Sequence, residues 1–472
     1  MKKPDKYEII KSWKKMAQDL IISISGMRGI VGENLNAFTA TNYGCAFGTF
    51  LKNSKGKKKL KIAIGTDSRP SGGMLKSAIM AGLCSVGADI IDLGLVTTPT
   101  VGIMVNQLEC DGGIVVTASH NPVEYNGIKL LTSKGIAPPA GMAEKIKALF
   151  LKGQFDCVSS VDCGKIVIDY SGDTVHIQKI RACINKGLIF SKKFRVVLDS
   201  VNGAGARPGK RLLSTLGCRV MAINDAPTGL FTHKPEPLAE NLEYLCQTVQ
   251  KVGANIGFAQ DPDGDRLAIV DENGRYIGEE YTLALAAKHI LSHKKGPAAA
   301  NLSTSRMIDD VAKEAGCEVI RTPVGEANVA AAMIKNNCVI GGEGNGGIID
   351  LRIGPVRDSL TAMAFILQLC AETNKTISQL VDEMPAYQMI KQKFDADKKT
   401  ADKIITQAKK TFKKAEVNES DGCRFDFDDG WIHLRTSNTE PIMRVIAEFK
   451  EDADPQKHLD KIAAIIEKIT GK

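Results

Sequence analysis

The chain has 472 residues, 43% of them hydrophobic and 25% charged, and carries a formal net charge of +8. That length exceeds one ordinary core and implies about three or four domains, and no apolar run reaches the roughly 18 residues needed to span a bilayer, so no membrane partner is expected. Aromatic residues make up only 5%, too few for the stacking platforms of single-strand binders; the positive charge is read as serving a small anionic substrate, not nucleic acid.

The N-terminus carries Lys2, Lys3, Lys6, Lys11, Lys14 and Lys15 ahead of the apolar run Leu20 to Ile24. That run is too short and interrupted for a signal peptide, so a short basic helix capping the first domain is expected. The twelve cysteines form no Cys-x-x-Cys pair, and Cys84, Cys218, Cys338 and Cys370 lie in apolar runs, where free cysteine behaves as a small hydrophobe. Disulfide frameworks belong to small secreted domains; a reduced, cytoplasmic protein is expected.

A repeating theme follows: a β-rich apolar run, a loop of Gly, Asp, Ser or Asn, then a helical pattern. Strands are expected at Leu60 to Ile64, Ala88 to Leu93 and Gly113 to Thr117, with a helix ending near Ser85 between the first two. The theme restarts at Arg195 to Leu198, with a strand opening at Cys218 and another at Ile256 to Gln260; a third round covers roughly Leu267 to Leu369. Strands alternating with helices imply parallel sheets covered on both faces. Asp271 to Arg275 reads as an Asn-Gly hairpin turn, and Met384-Pro385 ends the last α/β helix. The tail reads as a helix, with the lysines from Lys391 to Lys414 on its solvated face, followed by antiparallel strands at Cys423 to Phe427, Trp431 to Arg435 and Met443 to Phe449.

Four loops carry chemistry. Thr117-Ala118-Ser119-His120-Asn121-Pro122 follows a strand, and ligands of parallel α/β sheets bind beyond strand C-termini; the competing reading is a polar turn closed by Asn-Pro. Asp261-Pro262-Asp263-Gly264-Asp265-Arg266 sets three carboxylates in alternation with a guanidinium beside them. A hard divalent cation relieves their repulsion and keeps room for a phosphate oxygen, which the arginine suits. Asp261, Asp263, Asp265 and Glu272 also fall at positions of a calcium loop, although Arg266 stands where that loop needs glycine. A phosphatase with a nucleophilic aspartate at a strand end fits as well. Gly341 to Gly347 is glycine-rich, with Glu343 and Asn345 able to bond hydroxyls. Arg435-Thr436-Ser437-Asn438-Thr439-Glu440-Pro441, with Arg444 beyond, suits a dianionic phosphate.

In this order the four loops resemble the signature loops of the α-D-phosphohexomutase superfamily, and the likeness extends over nearly the whole chain. The resemblance implies an α/β protein of three α/β domains with mixed sheets plus a C-terminal α+β domain around a central cleft. The corresponding boundaries are 1–165 for the phosphoserine-bearing domain, 166–275 for metal binding, 276–385 for sugar recognition and 386–472 for phosphate binding. It implies that Ser119 carries a phosphoryl group and that Asp261, Asp263 and Asp265 hold Mg²⁺ together with a phosphoserine oxygen. Arg266 would contact that phosphate, and Ser25-Gly26-Met27-Arg28-Gly29 and Asn126-Gly127-Ile128-Lys129 match family segments placing Arg28 and Lys129 nearby. Arg435, Ser437, Asn438, Thr439 and Arg444 would hold the non-reacting phosphate.

Two departures stand out: Gly347 takes the place where many relatives have a histidine, so the acid/base group is left open, and Thr66 replaces a frequent arginine although Arg69 is kept. His120, next to the serine, is counted with the catalytic residues Ser119, Arg28, Lys129 and Arg266; the alternative is that it only shapes the loop. The implied activity moves a phosphoryl group between O6 and O1 of a phosphorylated hexose or hexosamine through a bisphosphorylated intermediate, which also serves as primer. Phosphoglucosamine mutase is the leading expectation; phosphomannomutase or phosphoglucomutase is the alternative, and a Mg²⁺-dependent sugar phosphatase a more distant one. A monomer or homodimer is expected.

Overall fold

A computed structural model describes residues 20–23, 26–56, 59–436, 442–453 and 455–470. The basic N-terminus, Ser25 and the loop residues Ser437, Asn438 and Thr439 lie outside the described residues. The chain divides into two units: residues 1–279 with 347–376, and residues 280–346 with 377–472.

The first unit holds two sheets. In the first, Leu60–Thr66 lies between Gly112–Val116 and Ala88–Leu95, all parallel, and Ile166–Ile168 extends the parallel set beyond Ala88–Leu95. On the other side the chain folds back: Tyr125–Thr132 is antiparallel to Gly112–Val116, and Gly26–Ile30 and Ile21–Ser23 continue antiparallel. The sheet is therefore mixed, and it reaches Ile168, past the boundary expected at 165. Helices form where caps are available. Asn36 accepts from Thr39 N at the start of Ala37–Lys55, and Gly56 ends that helix in the left-handed region.

In the second sheet, Ile256–Gln260, Arg195–Asp199 and Arg219–Ile223 run parallel. Leu267–Val270, expected to open the third round, instead closes this sheet as an antiparallel edge. The turn beyond it forms as expected, with Gly274 N donating to Asp271 O and Asp271 N to Arg275 O. The helix Ser359–Thr373, capped by Asp358, is buried along most of its length and packs on this sheet's strand Leu267–Val270 and on the helices Gly172–Ala182, Lys186–Lys192 and Ala206–Thr215. Its apolar circumference explains its place: a helix hydrophobic all round must be covered all round.

In the second unit, Val319–Thr322, Ala298–Asn301 and Ile340–Glu343 run parallel. The tail is an antiparallel sheet ordered Tyr387–Asp395, Ile442–Lys450, Gly430–Thr436, Cys423–Asp426, Glu416–Asn418. The helices Lys398–Thr411 and Gln456–Thr470 supply Ile404, Ala408, Ile462 and Ile466 to a core with Phe425, Leu434, Val445 and Phe449. The expectation of one lysine-rich helix from Lys391 needs correction. Lys391 and Lys393 belong to the strand Tyr387–Asp395, the lysines from Lys398 to Lys410 are helical, and Lys413 and Lys414 lie in the turn beyond. Lysines on an edge strand keep it from pairing with strangers, so the polar texture marks a protected edge.

The other face of this sheet docks on the parallel one. Arg306 donates to Asp426, Phe427 O and Gly430 O, and Arg424 to Leu302 O. His433 lies between the Ser303 hydroxyl (2.9 Å) and the Asp421 carbonyl (2.6 Å), and burial holds its pKa down to about 4. The unfolded imidazole takes its proton near pH 6.5, so the unfolded state binds protons first and stability is lost as the pH falls from about 6.5 through about 4. The loss should approach about 3 kcal/mol. Denaturant titrations across this range should show that slope for the wild type and a flatter one for His433→Asn.

Candidate active site

The site in the first unit is built on strand ends. Ser119 follows Gly112–Val116 and takes φ +51, a left-handed conformation that costs a non-glycine residue energy and must be held by its surroundings. The holding group is Arg69. Its guanidinium donates to the carbonyls of Ser119, Asn121 and Pro122, each at 2.6 Å, and of Tyr125 at 3.0 Å. Asp67 pairs with Arg69 and accepts from Thr117 Oγ1 at 2.6 Å, and Thr117 Oγ1 in turn accepts from Ser119 N. Burial pushes the Asp67 carboxyl up, against the pull of Arg69 and Thr117. Thr66 Oγ1 donates to the carbonyls of Asp67 and Val116, so it supports the loop's base.

The acidic loop runs between Ile256–Gln260 and Leu267–Val270, strands rather than the helices of a calcium loop. Gly264 takes φ +69, and a Cβ there would meet Thr97 Cγ2 at 2.7 Å, so the turn needs glycine. Asp261 Oδ2 accepts from Ser119 Oγ at 3.0 Å while its Oδ1 accepts from the amides of Asp265 and Arg266. Asp263 Oδ2 accepts from Lys129 Nζ and Thr98 Oγ1, each at 2.6 Å. Asp265 Oδ2 accepts from Arg357 Nη2 at 2.6 Å. All three aspartates are fully buried, and they offer carboxylate oxygens within 4.8 Å of one another. Asp263 Oδ1 and Asp265 Oδ1 are buried and accept no hydrogen bond. Two such orphaned oxygens beside Asp261 are a costly arrangement without a cation, and oxygen donors of this kind suit a hard divalent ion.

Electrostatics divides the carboxylates. Burial, then Asp263 and Asp265, push Asp261 well above the carboxylate range. Burial would raise Asp263 too, but Lys129 and its hydrogen bonds outweigh it and hold Asp263 low. Arg28, on Gly26–Ile30, bonds Asn121 Oδ1 at 2.8 Å. Arg266 pairs with Glu236 at 3.1 Å, and its buried Nε has no hydrogen bond. His120 Nδ1 lies 3.3 Å from Ser119 Oγ; burial, then Arg266 and Arg28, push its pKa down to about 2. The imidazole is therefore neutral at neutral pH and adds no charge to a phosphate.

The second unit gathers the other expected residues. Glu343 ends the strand Ile340–Glu343 and accepts from Asn301 Nδ2 (2.8 Å) and Gly325 N (3.1 Å), while Asn345 Oδ1 is buried with no hydrogen bond. Arg435 and Arg444 stand directly opposite on neighbouring strands, and Lys393 is opposite Arg444 on its other side. Three cations in one cross-strand row repel; a dianion would relieve them. Arg435 also faces Asp421 at 3.3 Å and lies within the electrostatic reach of Glu343.

Sequence reading missed Arg357, Glu236, Thr98 and Lys393. Lys393 stood in a segment read as helix, and the others belong to no motif. Arg357 also accounts for Gly347. A Cβ on Gly347 would fall 2.2 Å from Arg357 Cδ and 2.8 Å from Cγ, so the arginine stem fills the space a side chain at 347 would take. Gly347→Ala should cost about 1–3 kcal/mol by overpacking. Once Arg357 is alanine as well, most of that increment should go, with only the Arg357 Cβ left at 3.0 Å. A double-mutant cycle on unfolding free energies reads the coupling, and purely additive costs would refute it.

Such a site, on this fold, is that of an enzyme transferring phosphoryl groups within a phosphosugar. Models of the phosphoglucomutase/phosphomannomutase family match the chain throughout: α/β/α domain I over residues 20–156, domain II over 174–274, domain III over 279–387 and the C-terminal domain over 389–468. A Thermococcus kodakarensis protein named phosphoglucomutase/phosphomannomutase is 38% identical over 444 residues, covering 92% of this chain and 96% of that protein. A probable phosphoglucosamine mutase of Methanopyrus kandleri is 33% identical, covering 94% of this chain and 96% of its own. The crystal structure of a phosphoglucomutase/phosphomannomutase family protein from Burkholderia thailandensis superposes with a TM-score of 0.84 at 27% identity, covering 95% of this chain and 98% of that one. The chain belongs to the phosphoglucomutase/phosphomannomutase family and is a phosphohexomutase, an isomerase.

Proposed function

We propose that the chain interconverts the 6-phosphate and 1-phosphate of glucosamine, with Ser119 as the phosphoryl carrier. The observation that carries this reading is the 3.0 Å contact of Ser119 Oγ with Asp261 beside two orphaned carboxylate oxygens. Asp261, Asp263 and Asp265 would hold Mg²⁺, which when bound neutralises charge on the transferring group. The chain's own residues do the rest. Arg69 holds Ser119 in its left-handed turn, Lys129 and Arg357 keep the ligand carboxylates oriented, and Arg266 and Arg28 face the phosphoserine with guanidinium donors. A sugar hydroxyl attacks the phosphorus; the bond from phosphorus to Ser119 Oγ breaks as the new P–O bond forms, and the hydroxyl's proton ends on Ser119 Oγ, giving a bisphosphorylated hexose. The intermediate turns over, and its other phosphoryl group returns to Ser119, so the net reaction moves one group between O6 and O1. Lys393, Arg435 and Arg444, with Ser437, Asn438 and Thr439, hold the phosphate that is not reacting.

The choice of amino sugar is supported by Glu343, since a carboxylate is a stronger partner for a protonated amine than for a hydroxyl, and by several archaeal relatives named probable phosphoglucosamine mutases at 31–34% identity. The Thermococcus relative at 38% favours a second reading, a phosphoglucomutase or phosphomannomutase. Assaying kcat/KM on glucosamine, mannose and glucose phosphates with a bisphosphate primer separates the two; a preference for mannose 1-phosphate overturns the first. Ser119→Ala should lose about three orders of magnitude or more, and the serine enzyme should show in its intact mass a fraction heavier by one phosphoryl group at Ser119. Chelation should abolish turnover and Mg²⁺ restore it. A sugar phosphatase would instead release phosphate stoichiometrically and keep its activity in Ser119→Ala.

A further inference from the structure

The turn between Glu416–Asn418 and Cys423–Asp426 carries Asp421, which belongs to none of the four loops. Its side chain is partly buried, and one oxygen, Oδ2, has two partners. It accepts from Val324 N at 3.0 Å, and Arg435 Nε stands 3.3 Å from it, an ion pair without the alignment of a hydrogen bond. Gly422 allows this close approach: a Cβ there would fall 2.2 Å from Leu434 O and 2.9 Å from Arg435 Cα.

The two partners serve different halves of the second unit's site. Arg435 is one of the three cations in the cross-strand row. Val324 precedes Gly325, whose amide donates to Glu343 Oε1 at 3.1 Å. The backbone of Asp421 reaches Glu343 by a second path. The Asp421 carbonyl lies 2.6 Å from His433 Nε2, and His433 Nδ1 lies 2.9 Å from Ser303 Oγ. Ser303 N donates to Asn301 Oδ1, and Asn301 Nδ2 donates to Glu343 Oε1. Without the Asp421 carboxylate, Arg435 loses a counter-charge beside Arg444 and the Val324 amide loses its acceptor. Both recognition elements then lose support at once.

We propose that Asp421 is a positioning residue that fixes the spacing between the phosphate-holding guanidinium of Arg435 and the sugar-reading carboxylate of Glu343. The proposal rests on the reading of Arg435 as a phosphate ligand and Glu343 as a sugar ligand. Moving a phosphoryl group between O6 and O1 requires the sugar to present each end to Ser119 in turn. In both orientations its other phosphate and its ring must meet the same two groups, so their separation is part of recognition.

Steady-state kinetics on the full chain test this, with a bisphosphate primer and whichever of the glucosamine, mannose and glucose phosphates turns over fastest. Asp421→Ala should raise KM about tenfold or more and leave kcat within about twofold, because the support is lost in ground and transition states alike. Arg435→Gln and Glu343→Gln check the underlying reading: each should raise KM by itself, and if neither does, that reading falls whatever Asp421 does. With Asp421 in place, the combined effect of these two changes on kcat/KM should fall short of the product of their single effects. In an Asp421→Ala background it should approach that product. A merely structural Asp421 would lower the thermal midpoint and leave the coupling intact. Should Asp421→Ala not fold, the isosteric Asp421→Asn, which keeps an acceptor for Val324 N and loses the charge on Arg435, serves as the background. An unchanged KM in the Asp421 variant, or a coupling that survives it while the two single variants act as expected, overturns the proposal.

Discussion

Three aspartates buried within one turn of chain are the constraint on which the first unit depends. Like charges at that spacing, shielded from water, repel strongly, and the surrounding structure answers each one separately. Asp261 is braced by backbone amides and the Ser119 hydroxyl, Asp263 by Lys129 and Thr98, Asp265 by Arg357. The cations take the Oδ2 atoms of Asp263 and Asp265 and leave their Oδ1 atoms without hydrogen bonds. Neutralisation is thus incomplete by construction, and the remainder is what a divalent cation completes.

The strained serine shares this logic. A left-handed Ser119 persists because Arg69 binds four carbonyls of its loop, and Arg69 in turn is fixed by Asp67. The second unit inverts the charge. There Lys393, Arg444 and Arg435 are aligned across three strands, an arrangement that asks for an anion as firmly as the aspartates ask for a cation. An enzyme acting on a phosphosugar through a metal needs both kinds of incomplete neutrality.

Much of this was legible in the chain because its signals are contiguous. Asp261 to Arg266 needs only a strand before it and a turn within it to present its carboxylates, and Thr117 to Pro122 likewise. The strands Leu60–Thr66, Arg195–Asp199 and Ile256–Gln260 are apolar runs that no other element competes for. Tyr387–Asp395 failed to announce itself because an edge strand replaces apolar alternation with lysine. Leu267–Val270 was visible as a strand, but its sheet depends on direction of pairing, which a short apolar run does not encode.

By itself, the sequence determined the kinds of chemistry: a serine, a triad of acids, a basic loop, and the family to which they belong. Only the tertiary structure decided which partner stands at which oxygen. Arg357, separated from Asp265 by 92 positions, reaches it because it stands just ahead of the buried helix Ser359–Thr373 and because Gly347 leaves room for its stem. Glu236 meets Arg266, and Lys393 joins Arg444, for the same reason. Charge balance inside a protein is set by distance through space, and distance through space is fixed by packing between segments that have no local signal of their own.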